Sequence, residues 1–131
     1  MVDKTDRPEP RILVVEDYGP TRDALAELLV EAGFSVETAV SGSEAYAKAV
    51  RERPDLILMD LSLPGVDGTE ATQMIRADAR TKNIPVLALS GHKRKEKAAL
   101  EAGCDAFVSK PFDTAEVEQR IRALLRGKKR G

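Results

Sequence analysis

Leu56-Ile57-Leu58-Met59-Asp60-Leu61-Ser62-Leu63-Pro64-Gly65-Val66-Asp67-Gly68 is the stretch on which the rest of the chain is read. Four large apolar residues in succession form a buried strand. The Leu-Pro-Gly and Asp-Gly that follow form a loop. Asp60 therefore puts a carboxylate at the carboxyl end of a buried strand. Three other apolar runs end in polar side chains of complementary type. Ile12-Leu13-Val14-Val15 runs into Glu16-Asp17, Pro85-Val86-Leu87-Ala88-Leu89 into Ser90-Gly91, and Ala106-Phe107-Val108-Ser109 into Lys110-Pro111.

Outward from that stretch, strand and helix patterns alternate. Strand-like runs fall near 11–16, 35–39, 55–60, 85–90 and 106–109. Ala24, Leu25, Leu28, Leu29 and Ala32 mark the first helix, with Gly33 as its stop. Ser41-Gly42-Ser43-Glu44 opens the second and Pro54 ends it. The third runs from Gly68 to about Ala79. A more polar fourth covers roughly 92–102. The fifth carries Val117, Ile121, Leu124 and Leu125 behind an Asp113 or Thr114 cap. Unbroken apolar strands alternating with helices predict an α/β fold, a doubly wound five-stranded parallel sheet with helices on both faces. Ligands of such sheets bind beyond the carboxyl ends of the strands, where the strand order reverses. In the order 2-1-3-4-5, Glu16-Asp17 and Asp60 flank that point.

Composition limits the alternatives. The chain has 131 residues and a net charge of -1, so bulk charge gives no argument for nucleic acid as a direct partner. The charge is uneven, since no acid follows Glu118 while six basic residues do. A single cysteine, Cys104, excludes an internal disulfide and suits a reducing cytoplasm, the expected location. No apolar run is long enough to span a bilayer, and no membrane partner is expected. Residues 1–10 are polar and bear proline, unlike a signal peptide, and are taken as a flexible lead-in. Residues 11–126 form one domain and 127–131 a basic tail.

Three clustered carboxylates repel one another unless a cation sits among them. Oxygen ligands with open water positions suit Mg²⁺, and a carboxylate-held Mg²⁺ commonly binds a phosphate oxygen as well. Phosphoryl transfer follows as the reaction, with Asp60 as nucleophile. The transferred group carries charge on three oxygens. Mg²⁺ neutralises one and Lys110 a second, while the Ser90 hydroxyl reaches the third and Gly91 leaves room for the group. Each residue taken singly has a plainer reading. Glu16-Asp17 would be a helix cap, Asp60 the start of an Asx-turn, Ser90 a turn residue, Lys110 a surface charge.

Val15-Glu16-Asp17, Asp60-x-x-Leu63-Pro64-Gly65-x-Asp67-Gly68, Leu89-Ser90-Gly91 and Ser109-Lys110-Pro111-Phe112, in this order and spacing, make the chain resemble a response-regulator receiver domain of two-component signalling over roughly residues 11–126. The resemblance implies the flavodoxin-like receiver fold. It implies phosphorylation of Asp60 by a sensor histidine kinase or histidine phosphotransfer protein. It implies Mg²⁺ on Asp17, Asp60 and the backbone carbonyl of Ser62, with Glu16 acting mainly through water. It implies Ser90 as switch hydroxyl, Phe107 as switch aromatic, and a cis Lys110–Pro111 bond. Phe107 stands where many members have tyrosine and lacks the phenolic hydroxyl. Ser62 and His92 are candidates for tuning water access to the phosphoryl group, though His92 reads first as a solvated residue at a helix start.

The resulting expectation is a stand-alone receiver that catalyses only its own phosphorylation and dephosphorylation. It would signal to a target protein, or pass the phosphoryl group on, through its fourth helix, fifth strand and fifth helix, as a monomer or weak homodimer. Lys93, Arg94, Lys95 and Lys97 make that fourth helix basic. Three other readings compete with it. A receiver-like adaptor would not need the acid set and lysine. A small aspartyl-nucleophile phosphatase commonly carries Asp two residues beyond the nucleophile, where this chain has Ser62. A flavin-binding module would not require Asp60 or Lys110.

Overall fold

The structure, a computed structural model, describes residues 9–128. Most of the lead-in and the end of the basic tail fall outside the described residues.

β1 (Arg11–Val15), β2 (Ser35–Ala39), β3 (Leu56–Asp60), β4 (Val86–Ser90) and β5 (Ala106–Ser109) form one sheet in the order β2-β1-β3-β4-β5. All four pairings are parallel. Between and after them lie α1 (Gly19–Glu31), α2 (Gly42–Glu52), α3 (Gly68–Ala77), α4 (Glu96–Ala102) and α5 (Thr114–Lys128). β3 and β4 are buried at every residue, as unbroken apolar runs require of strands covered on both faces.

Alternate strand residues face opposite layers. Ile12, Val14, Leu56, Leu58, Leu87, Leu89 and Val108 pack with Leu25 and Leu29 of α1 and with Val117 and Ile121 of α5. Leu13, Val15, Ile57, Met59, Val86, Ala88 and Phe107 pack with α2, α3 and α4 through small side chains, Ala45, Ala49, Ala71 and Ala99. Small residues let these helices approach the sheet closely.

The helix ends follow local chemistry. Ser41 caps α2 by accepting the Glu44 N–H at 3.1 Å, and Glu44 Oε1 accepts the Val40 N–H at 2.7 Å. Asp67 and Glu70 form a reciprocal capping box on α3. Asp113, the first of the two anticipated caps, accepts the Ala115 N–H at 2.9 Å. α1 stops at Glu31, just ahead of Gly33, and α2 stops before Pro54.

Two helices are shorter than the spacing predicts. α3 ends at Ala77 because Asp78 is extended and the Thr81 hydroxyl takes the Ile75 carbonyl at 2.7 Å. The fourth segment opens as a 3₁₀ turn, Lys93–Lys95, before α4 begins at Glu96. The His92 N–H is engaged by Ser90 Oγ, and the Lys95 N–H bonds the His92 carbonyl at 2.9 Å, an i to i+3 closure. α5 extends to Lys128, two residues past the anticipated boundary.

Candidate functional site

The parallel sheet brings the carboxyl ends of β1, β3, β4 and β5 to one edge, and the anticipated residues meet there. Glu16, Asp17 and Asp60 each offer a carboxylate oxygen, and these atoms lie within 4.8 Å of one another. Glu16 and Asp60 are buried, and Asp17 is exposed. Lys110 Nζ is 3.3 Å from Glu16 Oε1 and 3.6 Å from Asp60 Oδ2. Two of the three carboxylates thus pair with one lysine. Burial, followed by a hydrogen bond with Asp60, pushes the Glu16 carboxyl above its ordinary pKa. Such an oxygen-only, electron-rich set, part buried and part open, fits a divalent cation of the Mg²⁺ type.

The plain readings are partly true and help build the site. Asp60 does form an Asx-turn, with Oδ1 accepting the Ser62 N–H at 3.0 Å, which fixes the carboxylate. Ser90 does form a turn, with Oγ accepting the His92 N–H at 3.0 Å. Glu16 and Asp17 do not cap α1. The cap position belongs to Tyr18, which makes no side-chain capping bond, and Glu16 Oε2 accepts the Tyr18 N–H at 3.2 Å.

Ser62 is exposed at the edge. Ser90 is buried at the tip of β4, and the Lys110 N–H bonds its carbonyl at 2.8 Å. Gly91 is exposed, and a methyl group there would meet nothing within 4 Å, so the space beside Ser90 is open. His92 is exposed and enters the site through its backbone. The Lys110–Pro111 bond is cis. Phe107 lies inside the core with Cys104, Ala88 and Ala99, so its ring already faces inward. Cys104 is buried. Its thiol meets Thr72 Oγ1 at 3.6 Å, and burial raises its pKa.

Three positions escaped the sequence reading. Arg22 Nη1 donates to the carbonyls of Glu16 at 3.1 Å and Asp17 at 3.3 Å. Gly68 lies against the nucleophile's own backbone, since a Cβ there would sit 2.4 Å from the Asp60 carbonyl oxygen. Gly42, at the start of α2, leaves the same kind of space for the loop after β3. A Cβ there would sit 2.1 Å from the Val66 carbonyl oxygen. The only sequence signal for Arg22 is the lack of a capping side chain at Tyr18, four residues before a long donor. The close approach at Gly42 joins separate elements and has no local signal.

Comparison with known proteins agrees with this geometry. The family model of the response regulator receiver domain matches residues 12–122, and the chain belongs to that family. It is 43% identical over 119 residues to the DNA-binding dual master transcriptional regulator RpaA of Synechocystis sp., covering 89% of this chain and 49% of that protein. It is 40% identical over 119 residues to the transcriptional regulatory protein PrrA of Mycobacterium tuberculosis, covering 89% and 50%. The chain thus spans about half the length of the curated relatives it matches. Among solved structures it resembles the receiver domain of the sensor histidine kinase PA1611 of Pseudomonas aeruginosa, which has a magnesium ion coordinated in its active-site cleft. The TM-score is 0.84 at 32% identity, over 89% of this chain and 98% of that one. The chemotaxis response regulator CheY4 of Vibrio cholerae superposes with a TM-score of 0.83 at 29% identity, over 88% and 98%.

The protein is therefore a receiver domain of the two-component response-regulator class, with an acidic cluster able to hold a metal ion. Because RpaA is named as DNA-binding, the expectation of no nucleic-acid partner draws no support from the relatives. Among the described residues, no helix is long and apolar enough to cross a membrane.

Proposed function

We propose that Asp60 accepts a phosphoryl group from a phosphohistidine of a sensor histidine kinase or histidine phosphotransfer protein, and that the phosphorylated state is read by a partner. The observation that carries this is the position of Asp60. Its buried carboxylate is fixed by the Ser62 N–H and lies 3.6 Å from Lys110 Nζ within the acid cluster. An Asp60 oxygen forms the new bond to phosphorus as the P–N bond of the donor breaks, and the electron pair leaves on the imidazole nitrogen, which takes a proton from solvent. Lys110 meets charge on the incoming oxygens as a point charge.

Glu16, Asp17, Asp60 and the Ser62 carbonyl are the residues that would hold Mg²⁺, which when bound supplies charge stabilisation to the transferred group. The chain's own chemistry is confined to gaining and losing this group.

Readout rests on Ser90. Its hydroxyl accepts the His92 N–H at 3.0 Å and donates only at 3.4 Å to the His92 carbonyl, and turning that proton to a phosphoryl oxygen exchanges the weak donation for a charge-assisted one. That pull acts on the turn leading into α4. Phe107 of β5, packed in the core with Ala88 of β4 and Ala99 of α4, links that helix to β5, so the face of α4, β5 and α5 is the surface that changes. Incubation with a small phosphodonor and Mg²⁺, followed by intact-mass measurement, tests the reading. Wild type gains one phosphoryl group, and Asp60→Asn and EDTA-treated protein gain none. A mass gain that persists in Asp60→Asn overturns it.

A further inference from the structure

We infer that Arg22 is a positioning residue for the cation site, holding the loop that carries Glu16 and Asp17 from behind. The inference rests on the metal reading above. β1 ends at Val15 and α1 begins at Gly19, so both acids stand on a short irregular connection. Nothing in the side chain of Tyr18 caps the helix, and Pro20 brings no N–H to its first turn. Besides the Glu16 N–H bond to the Ala39 carbonyl and the Tyr18 N–H bond to Glu16 Oε2, one guanidinium nitrogen ties the two acid-bearing residues together. Arg22 Nη1 donates to the Glu16 carbonyl at 3.1 Å and the Asp17 carbonyl at 3.3 Å, while the Arg22 N–H bonds the Tyr18 carbonyl at 2.9 Å.

The hydrogen bonds of the guanidinium go to backbone oxygens, and this separates Arg22 from Lys110. Lys110 bonds the carboxylates themselves and so competes with any cation that arrives. Arg22 holds the backbone that carries two of the carboxylates and does not bond their oxygens. Groups one shell out from a metal commonly govern affinity by orienting the ligands, at about 10–100-fold each.

The two effects of Arg22 have opposite signs, which makes the inference decidable. As a positive charge near three carboxylates, it opposes Mg²⁺ by Coulomb repulsion, so its removal by itself tightens binding. As a clamp on the loop, it favours Mg²⁺, so its removal weakens binding. We expect Arg22→Ala to weaken Mg²⁺ affinity about 10-fold. Arg22→Met, which keeps the apolar stem, should do the same, and Arg22→Lys should recover part of the loss.

Mg²⁺ titration calorimetry on the four proteins is the test, with Asp17→Ala as reference. Unchanged or tighter Mg²⁺ binding in Arg22→Ala and Arg22→Met overturns the inference. Retention of Mg²⁺ affinity by Asp17→Ala would instead overturn the metal reading and leave the clamp to a second measurement. That measurement is amide exchange without metal. The Tyr18 N–H, held by Glu16 Oε2, should exchange several-fold faster in Arg22→Ala, while Leu25 and Leu29 within α1 keep their protection. Equal exchange at Tyr18 in wild type and variant overturns the clamp whatever the metal does.

Discussion

Lys110 Nζ lies 3.3 Å from Glu16 Oε1, an ion pair between residues 94 positions apart in the chain. It closes the site from the β5 side and is the cationic partner of two buried acids in the absence of metal. Removing one partner of a buried pair costs about 3–5 kcal/mol. Lys110 is 30% exposed, so the loss is screened. Lys110→Ala should therefore destabilise the metal-free protein by about 2 kcal/mol. Mg²⁺ should restore most of that and should bind at least as tightly as to wild type. Asp17→Ala should bind Mg²⁺ far more weakly. Urea denaturation with and without Mg²⁺ reads the first effect and titration the second. Equal loss of Mg²⁺ affinity in both variants would show the assigned roles to be wrong.

The raised pKa of Glu16 gives a pH signature. An acid that holds its proton more tightly folded than unfolded makes folding stability fall as pH rises. The fall begins near the ordinary value of 4.5 and is complete above the raised folded value. Metal-free wild type should thus lose stability across that window, and Glu16→Gln should lose less. Mg²⁺, which favours the ionised carboxylate, should reverse the difference above it. Denaturant midpoints at stepped pH report the slope, and parallel curves for the two proteins would refute the cause given for it.

Gly42 and Gly68 offer a steric test. Alanine is the better helix former by up to ~1 kcal/mol, so propensity alone predicts a gain for Gly42→Ala. The Val66 carbonyl oxygen, 2.1 Å from the added carbon, predicts a loss of about 1–3 kcal/mol through a displaced loop. The loss should win. Gly68→Ala, whose methyl meets the Asp60 carbonyl oxygen at 2.4 Å, should combine lost stability with slower phosphorylation. Denaturation and labelling rates, measured side by side, test both variants.

Arg76 ties the far end of α3 to its surroundings. It donates to the carbonyls of Gly103 at 2.9 Å, Lys82 at 3.1 Å and Ile84 at 2.7 Å, and pairs with Asp105 Oδ2 at 2.7 Å. Arg76→Ala should cost about 2–3 kcal/mol by stranding several of these acceptors. Arg76 lies at the opposite end of the sheet from Asp60, so phosphorylation of the folded variant should be unaffected. Equilibrium unfolding and mass labelling separate the two outcomes.

How much of this was legible beforehand depends on the range of the interaction. Asp60, Ser90 and Lys110 could be named because a polar residue ending an apolar run is a local pattern, and parallel pairing puts every strand's carboxyl end on one edge. The start of α2 at Ser41 is local too. The early end of α3 and the late start of α4 are not legible in the sequence because each depends on one side-chain oxygen, from Thr81 or Ser90, competing for a backbone group.

The sequence by itself determined the five strands, the sheet class, and which residue types stand at the strand tips, since hydrophobic period and chain punctuation act over a few residues. Tertiary structure alone decided that Lys110 pairs with both Glu16 and Asp60, that Phe107 already lies inward, that Arg76 gathers three carbonyls, and that α2 approaches the β3–α3 loop closely enough to demand glycine at 42. These are distances between separate elements. They are set by register, crossover and side-chain volume across the whole core, and no short stretch of the chain contains that information.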